Sequence, residues 1–298
     1  MKVNHFTPMG IFFRGAAMGA ADIVPGVSGG TIAFISGIYE TLLNSINAVN
    51  PTNFSLLLKR EFKAFWDAIN GNFLFFLAIG ILSSALSLAR LLKHGLEYYP
   101  TCVWSFFFGL ILASALIVAR EVKQWRAGPV IAGLLGIIIA FSITILTPAA
   151  TPEALWFVFL SGSIAICAMI LPGISGGFIL VLLGKYQFVL DAVTTLRIDV
   201  ILVLMAGAVC GLLSFSRLLS LLLERHRETT IALLAGFMVG SLNKVWPWKA
   251  GGENILPPSL FEFSHDAMLT GLALAVAGFV VTWALEKKAE KPPLPPTR

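Results

Sequence analysis

The sequence predicts an all-α polytopic membrane protein built as an inverted-topology repeat, in which each half is a re-entrant helical hairpin plus three transmembrane helices. Hydrophobic residues make up 57% of the chain and charged residues 12%. That is more apolar surface than a soluble domain could bury. A glycine-rich motif occurs twice inside apolar sequence, as PGVSGG at 25–30 and as PGISGG at 172–177. Paired helix breaks of this kind indicate the substrate site of a transporter.

A second correspondence follows each motif and defines the two repeats. Four residues of the first half align without a gap with residues 127 positions later: Gly80, Arg90, Gly109 and Ser114 match Gly207, Arg217, Gly236 and Ser241. We therefore assign 1–150 to the first repeat and 151–286 to the second, and 287–298 to a disordered cytoplasmic tail. Each repeat contributes three long apolar segments, at 73–92, 100–119, 129–147, 200–222, 231–248 and 267–285.

The length of the motif regions and the distribution of basic residues predict the topology. The arms around the first motif, 11–24 and 31–43, reach only about 21 Å each as helices and so suggest a hairpin. The arms around the second motif, 155–171 and 178–193, are longer. If both regions are hairpins, most basic residues outside the apolar segments lie in the cytoplasm, and only Lys93, Arg197 and Lys249 lie outside. This positive-inside pattern places both termini in the cytoplasm.

The first half contains an additional segment at 50–72, where charged residues alternate with Phe65 and Trp66. It is either an amphipathic helix on the inner membrane surface or a simple connector.

The two motifs have the chemistry of an anion site. Proline ends the incoming helix, glycines allow a sharp reversal, and Ser28 and Ser175 are natural N-caps of the outgoing helix. The N–H groups of Gly29, Gly30 and Thr31 are then expected to be unpaired at a helix start, where donors and the helix dipole together bind anions. The candidate phosphate ligands at the turns are Ser28, Gly29, Gly30, Thr31, Ser175, Gly176 and Gly177. The alternative is close helix packing at small residues.

Charged residues within apolar sequence add further candidates. Arg90 and Arg217 would place a guanidinium at each mouth for phosphate, or they simply extend to the interface. Arg14 and Asp22 lie two turns apart on one helical face of the first hairpin, and ionisable groups at this depth are usually functional. Arg14 is a further phosphate ligand and Asp22 a proton-coupling group, or the two form a structural pair. Glu40, near the hairpin exit, is the second coupling candidate or an interfacial residue.

The segment from Asp22 to Thr31, with its second copy at 171–177, resembles the bacterial polyprenyl-phosphate transporter family over about residues 10–285. The resemblance implies a flippase that returns undecaprenyl phosphate from the outer to the inner leaflet of the bacterial cytoplasmic membrane, by alternating access, for carrier-lipid recycling in cell-wall synthesis. It implies a transporter rather than an enzyme, without a cofactor and without a nucleic-acid partner. Coupling to H+ or Na+ and assembly into a homo-oligomer remain open.

Two alternative functions remain. Undecaprenyl-diphosphate phosphatases have a similar Pro-Gly-x-Ser-Arg-Ser turn, but glycines stand here in place of its arginine and second serine. The Glu-x-x-x-Glu pairs of this chain, Glu224/Glu228 and Glu286/Glu290, also fall away from the turns. The other alternative is a secondary transporter of a small soluble anion, which would need a polar vestibule instead of a lateral opening for a lipid tail.

Overall fold

The computed structural model describes residues 7–24, 27–149, 151–250, 253–255 and 265–288. The helices in the first half are α1 (Pro8–Ile23), α2 (Gly29–Ile35), α3 (Tyr39–Asn47), α4 (Pro51–Leu58), α5 (Phe62–Ala68), α6 (Gly71–Tyr98), α7 (Pro100–Arg120) and α8 (Ala127–Ile145). The second half has α9 (Leu155–Ile170), α10 (Gly176–Leu182), α11 (Tyr186–Thr194), α12 (Ile198–Arg225), α13 (Arg227–Ser241) and α14 (His265–Lys288). Between α13 and α14, β1 (Lys249–Ala250) pairs antiparallel with β2 (Glu253–Asn254).

Within these ranges, five helices are long and apolar enough to cross a membrane: α6, α7, α8, α12 and α14. The outward faces of these helices are apolar as well as exposed, for example at Leu82 and Leu86 of α6 and at Leu134 and Ile138 of α8. Such faces suit lipid rather than water. The prediction of an all-α polytopic membrane protein is therefore confirmed.

Each outgoing arm of the two motif regions is interrupted, and the prediction of single arms at 31–43 and 178–193 is wrong. Gly37 has φ 74° and separates α2 from α3, and Gly184 has φ 61° and separates α10 from α11. Glycine adopts this left-handed backbone without a steric penalty, so it ends each short helix. The axes of α10 and α11 differ by 105°.

The helix predicted for 231–248 is also shorter than expected, because α13 ends at Ser241. Asn243 turns its side-chain amide to Thr144 Oγ1, at 2.6 Å, and Pro247 lacks the N–H that a continuing helix would need. At 15 residues, α13 is about 22 Å long, so the chain leaves the helix before the full bilayer core is crossed.

The segment at 50–72 forms two short helices instead of one. Arg60 has φ 61° and separates α4 from α5. The apolar side chains of Phe54, Leu58, Phe62 and Trp66 are exposed. Of the predicted disordered tail, Lys287 and Lys288 belong to α14, and 289–298 lie outside the described residues.

Glycines allow the helices of each half to pack backbone against backbone, and the contacts correspond between the halves. A Cβ atom on Gly80 of α6 would overlap the carbonyl oxygen of Phe12 in α1. A Cβ on Gly207 of α12 would overlap the carbonyl oxygen of Phe159 in α9. Small residues at such crossings let membrane helices approach closely and gain packing energy.

Two helix pairs join the halves. A Cβ on Gly109 of α7 would overlap the carbonyl oxygen of Ala275 in α14, and a Cβ on Gly236 of α13 would overlap that of Gly133 in α8. The helices α7 and α13 also contact each other and carry many of the buried residues. They form the centre of the protein, and α8 and α14 pack on their outer sides.

We expect Gly80→Ala and Gly207→Ala each to destabilise the protein by about 1–3 kcal/mol, because the added methyl group forces two helix backbones apart. Thermal unfolding of the detergent-solubilised protein measures the effect. Gly128→Ala is the matched control, since the nearest atom to its Cβ, Thr229 Oγ1, is 3.7 Å away. Equal melting temperatures for all three variants would contradict this packing.

Candidate functional site

The first turn is closed by Ser28, which is completely buried and N-caps α2. Its Oγ accepts a hydrogen bond from the Gly30 amide at 3.0 Å and donates one to the Met169 carbonyl of α9 at 2.9 Å. The Thr31 amide donates to the Ser28 carbonyl at 2.9 Å. One serine therefore satisfies the start of α2 and ties it to the other half of the chain.

The third amide of the first turn, that of Gly29, is bound by the side chain of Asp22. The Gly29 amide donates to Asp22 Oδ1 at 2.7 Å, and Asp22 Oδ2 is buried without a hydrogen-bond partner in the described part of the chain. The prediction that the amides of Gly29, Gly30 and Thr31 are unpaired is thus wrong. A carboxylate at a helix start is favoured by the N–H groups and the dipole, and Asp22 supplies that anion from within the protein.

The second turn lacks such a closure. Gly173, with φ 88°, reverses the chain, and Ser175 is buried but makes no capping hydrogen bond with its side chain. Across the described ranges, no acceptor faces the amides of Gly176 and Gly177. Met169 stands where the repeat would place a second Asp22. Gly177 is exposed, and the nearest atom to a Cβ placed on it, Ser175 Oγ, is 3.8 Å away, an ordinary contact.

The two turns contact each other directly. The Gly173 amide donates to Thr31 Oγ1 at 3.1 Å, and the Tyr39 hydroxyl donates to the Ile170 carbonyl at 3.1 Å. A Cβ on Gly30 would overlap that same carbonyl oxygen. The duplicated motifs, far apart in sequence, therefore form one polar junction inside an apolar protein.

The structure does not join Arg14 to Asp22. Arg14 is half-buried and donates through Nε to the Ser36 carbonyl, at 3.2 Å, and through Nη1 to the Gly10 carbonyl, at 3.1 Å. The two residues are about 12 Å apart along α1, and Asp22 binds Gly29 instead. Arg14 thereby links α1 to the end of α2.

The other charged candidates lie away from the junction. Arg90 and Arg217 are exposed, near the ends of α6 and α12, and among the described residues neither makes a hydrogen bond or an ion pair. Glu40 is exposed and forms an ion pair with Arg227 Nη1, whose Nη2 lies 3.6 Å from Glu121. Glu40 therefore links the exit of the first hairpin to α7 and α13.

Two lysines that the sequence analysis did not select as site residues follow α13, and one of them contacts the residue after the second motif. Lys244 Nζ lies 4.1 Å from the ring centroid of Phe178, the residue after Gly177. Lys249 Nζ lies 4.4 Å from the ring centroid of Trp104 and donates to the Lys244 carbonyl at 2.7 Å. The repeat comparison could not reveal them, because neither has a charged counterpart in the first half.

Lys185, which lies between α10 and α11, is buried. Its exposed fraction is 2%, its ammonium donates to the Thr151 carbonyl at 3.0 Å, and the rings of Phe157 and Phe188 flank it. This lysine fixes the loop before α9 to the bend between α10 and α11.

The chain matches one family model and is similar to two known proteins. A family model described as undecaprenyl phosphate translocase-like matches residues 18–258. A polyprenyl-phosphate transporter of Vibrio cholerae is 44% identical over 94% of this chain and 96% of its own length. A polyprenyl-phosphate transporter of Staphylococcus aureus is 30% identical over 91% of this chain and 94% of its own length. No solved structure matches the chain.

We expect Ser28→Ala to destabilise the protein by about 1–3 kcal/mol, because the Gly30 amide and the Met169 carbonyl lose their buried partner. Ser175→Ala is the matched control and should change stability little, since Ser175 makes no side-chain cap. Thermal unfolding in one detergent compares the two variants. A Ser28→Ala protein as stable as the Ser175→Ala protein would contradict the closed first turn.

Lys249 should titrate at lower pH than an ordinary lysine. Burial and the nearby Lys244 ammonium lower the pKa of Lys249 to about 8. Because only the neutral amine reacts, acylation of Lys249 followed by mass spectrometry should show a pH midpoint near 8. Lys244→Met removes the like charge and should raise the midpoint, whereas Lys123→Met should leave it unchanged. An unshifted midpoint in Lys244→Met would contradict the interaction.

Proposed function

The chain belongs to the undecaprenyl phosphate translocase-like family, and from this premise we propose that it is a flippase for undecaprenyl or another polyprenyl phosphate. The proposal rests above all on the junction of the two turns, where the amides of Gly176 and Gly177 have no acceptor among the described residues. Unpaired backbone groups at such a place require a polar ligand or a wet cavity. A phosphate supplies the ligand, and its polyprenyl tail stays in lipid.

The second turn is the proposed first binding place of the phosphate. The amides of Gly176 and Gly177 and the Ser175 hydroxyl lie at the start of α10, where no carboxylate among the described residues binds them. A phosphate bound there would accept hydrogen bonds from these amides. Gly177 has no side chain to hinder its approach.

The first turn binds the phosphate in the other state of the proposed cycle. For that, Asp22 must leave the Gly29 amide, and the Ser28 hydroxyl must release the Gly30 amide and the Met169 carbonyl. The amides of Gly29, Gly30 and Thr31 and the Ser28 hydroxyl would then bind the phosphate. Protonation of Asp22 would weaken its hold, so Asp22 is the proposed coupling group for H+, with Na+ as the alternative ion. Glu40, in its ion pair with Arg227, is the secondary candidate and would act on the hairpin exit.

An inverted repeat provides the proposed movement. Corresponding glycine contacts join α1 to α6 in the first half and α9 to α12 in the second. In addition, α8 of the first half packs on α13 of the second, and α14 of the second half packs on α7 of the first. Two such units could rock about a shared site and expose it to each side in turn. The distribution of basic residues favours cytoplasmic termini. The resemblance to the family favours the bacterial inner membrane and transport from the outer to the inner leaflet for carrier recycling.

The exposed arginines would act at the two mouths. Arg90, near the outer end of α6 in this topology, would attract the phosphate, and Arg217, near the inner end of α12, would receive it on release. Arg14, held at Ser36, is the third guanidinium within the proposed path.

Liposomes that contain the purified protein and a labelled polyprenyl phosphate test the proposal. The wild type should exchange the lipid between leaflets without releasing inorganic phosphate. Ser175→Ala and Gly177→Val should each reduce exchange about tenfold, equal to about 1.4 kcal/mol, because one loses a donor and the other blocks the approach to the turn. Their melting temperatures should stay near that of the wild type.

Gly128→Val is the control, since its Cβ also meets only ordinary contacts and it lies far from the turns in sequence. Normal exchange by both turn variants would refute the phosphate site. Release of phosphate from polyprenyl diphosphate would favour the phosphatase, and uptake of a soluble anion would favour the small-anion transporter.

A further inference from the structure

The segment after α13 holds two lysines in fixed positions. Asn254 Nδ2 donates to the Asn243 carbonyl and to Asn243 Oδ1, both at 2.8 Å, and Trp246 Nε1 donates to the Ile255 carbonyl at 2.9 Å. The short strands β1 and β2 close the same segment. Side-chain hydrogen bonds within the segment therefore hold the backbone that carries Lys244 and Lys249.

Aromatic rings hold the two ammonium groups. Lys244 lies over Phe178, and Lys249 lies over Trp104, at distances where a cation is attracted to the ring face. The Lys244 ammonium has no hydrogen-bond acceptor among the described residues. Both lysines are half-buried, so their charges are only partly screened by water.

The two ammonium groups repel each other as long as no anion is bound between them. In the part of the chain that the structure describes, no carboxylate forms an ion pair with either lysine, and Lys249 donates to the Lys244 backbone, which brings the charges near each other. Their repulsion contributes to the lowered pKa of Lys249. An anion between them would relieve the repulsion and gain charge-assisted hydrogen bonds.

The position of the pair indicates where such an anion would go next. Phe178, under Lys244, directly follows Gly177, and the amides of Gly176 and Gly177 lack acceptors within the described residues. The end of α13 lies beside the second turn, because a Cβ on Gly173 would lie 2.9 Å from Ser241 Oγ, so the segment that carries the lysines starts next to that turn. In the proposed topology this is the outer side of the membrane.

We propose that Lys244 and Lys249 form a recognition site for a terminal phosphomonoester, and that this site delivers the lipid phosphate to the second turn. The inference rests on the proposed flippase function. A phosphomonoester carries between one and two negative charges at neutral pH, whereas the phosphodiester of a bulk phospholipid carries one. Two adjacent cations therefore favour the carrier lipid over the surrounding membrane.

The test measures exchange in liposomes as the mole fraction of labelled polyprenyl phosphate is varied. Lys244→Gln and Lys249→Gln should each raise the half-saturating fraction about tenfold and leave the maximal rate within about twofold, because the turns themselves are intact. Lys287→Gln, on the exposed end of α14, is the matched control and should behave as the wild type. Unchanged half-saturating fractions in both variants would overturn the site.

A binding measurement separates this inference from the flippase proposal. Polyprenyl phosphate should raise the pH midpoint of Lys249 acylation in the wild type, and Lys244→Gln should abolish the rise. This shift would support the site even if the wild type exchanged no lipid, which would overturn only the transport function. An equal shift with the same concentration of inorganic phosphate would overturn the assignment to a lipid, and no shift with either probe would overturn the site.

Discussion

The structure depends on the need to satisfy backbone polar groups at two chain reversals inside an apolar protein. Each reversal removes the helical partners of several N–H and C=O groups, and hydrocarbon offers none in return. Ser28 and Thr31 of one motif bind backbone groups at Met169 and Gly173 of the other. Each turn thus supplies hydrogen-bond partners to backbone groups of the other. This requirement explains why the two turns lie next to each other.

Small residues make this arrangement compatible with close packing. Glycines at Gly80, Gly109, Gly207 and Gly236 bring helix backbones into contact and leave the bulky apolar side chains of α6, α8 and α12 on the outside. The protein therefore keeps a dense centre around α7 and α13 and an outer surface suited to lipid. A polar junction at that centre is shielded from the membrane without any large soluble domain.

Much of this fold could be predicted from periodicity and repetition. The motif and its copy indicated both turns, and long apolar runs indicated the crossing helices, because each is a local property of the sequence. The closure of Gly29 by Asp22 could not be predicted, since the choice between Arg14 and Gly29 as the partner depends on the path of the turn. The roles of Lys244 and Lys249 depend on Phe178 and Trp104, distant residues that only the folded chain brings near.

The closure of one turn by Asp22, with Met169 at the matching place, makes the halves alike in shape but different in chemistry. Two equivalent halves would favour their two arrangements equally when empty. A charge-assisted hydrogen bond present on one side alone is worth about 1.5–3 kcal/mol and gives an imbalance of about ten- to a hundredfold. Within the proposed cycle, the protein without bound lipid would therefore populate mainly one of its two conformations. The Asp22 carboxyl group alone would determine the side of the membrane to which the empty site is open.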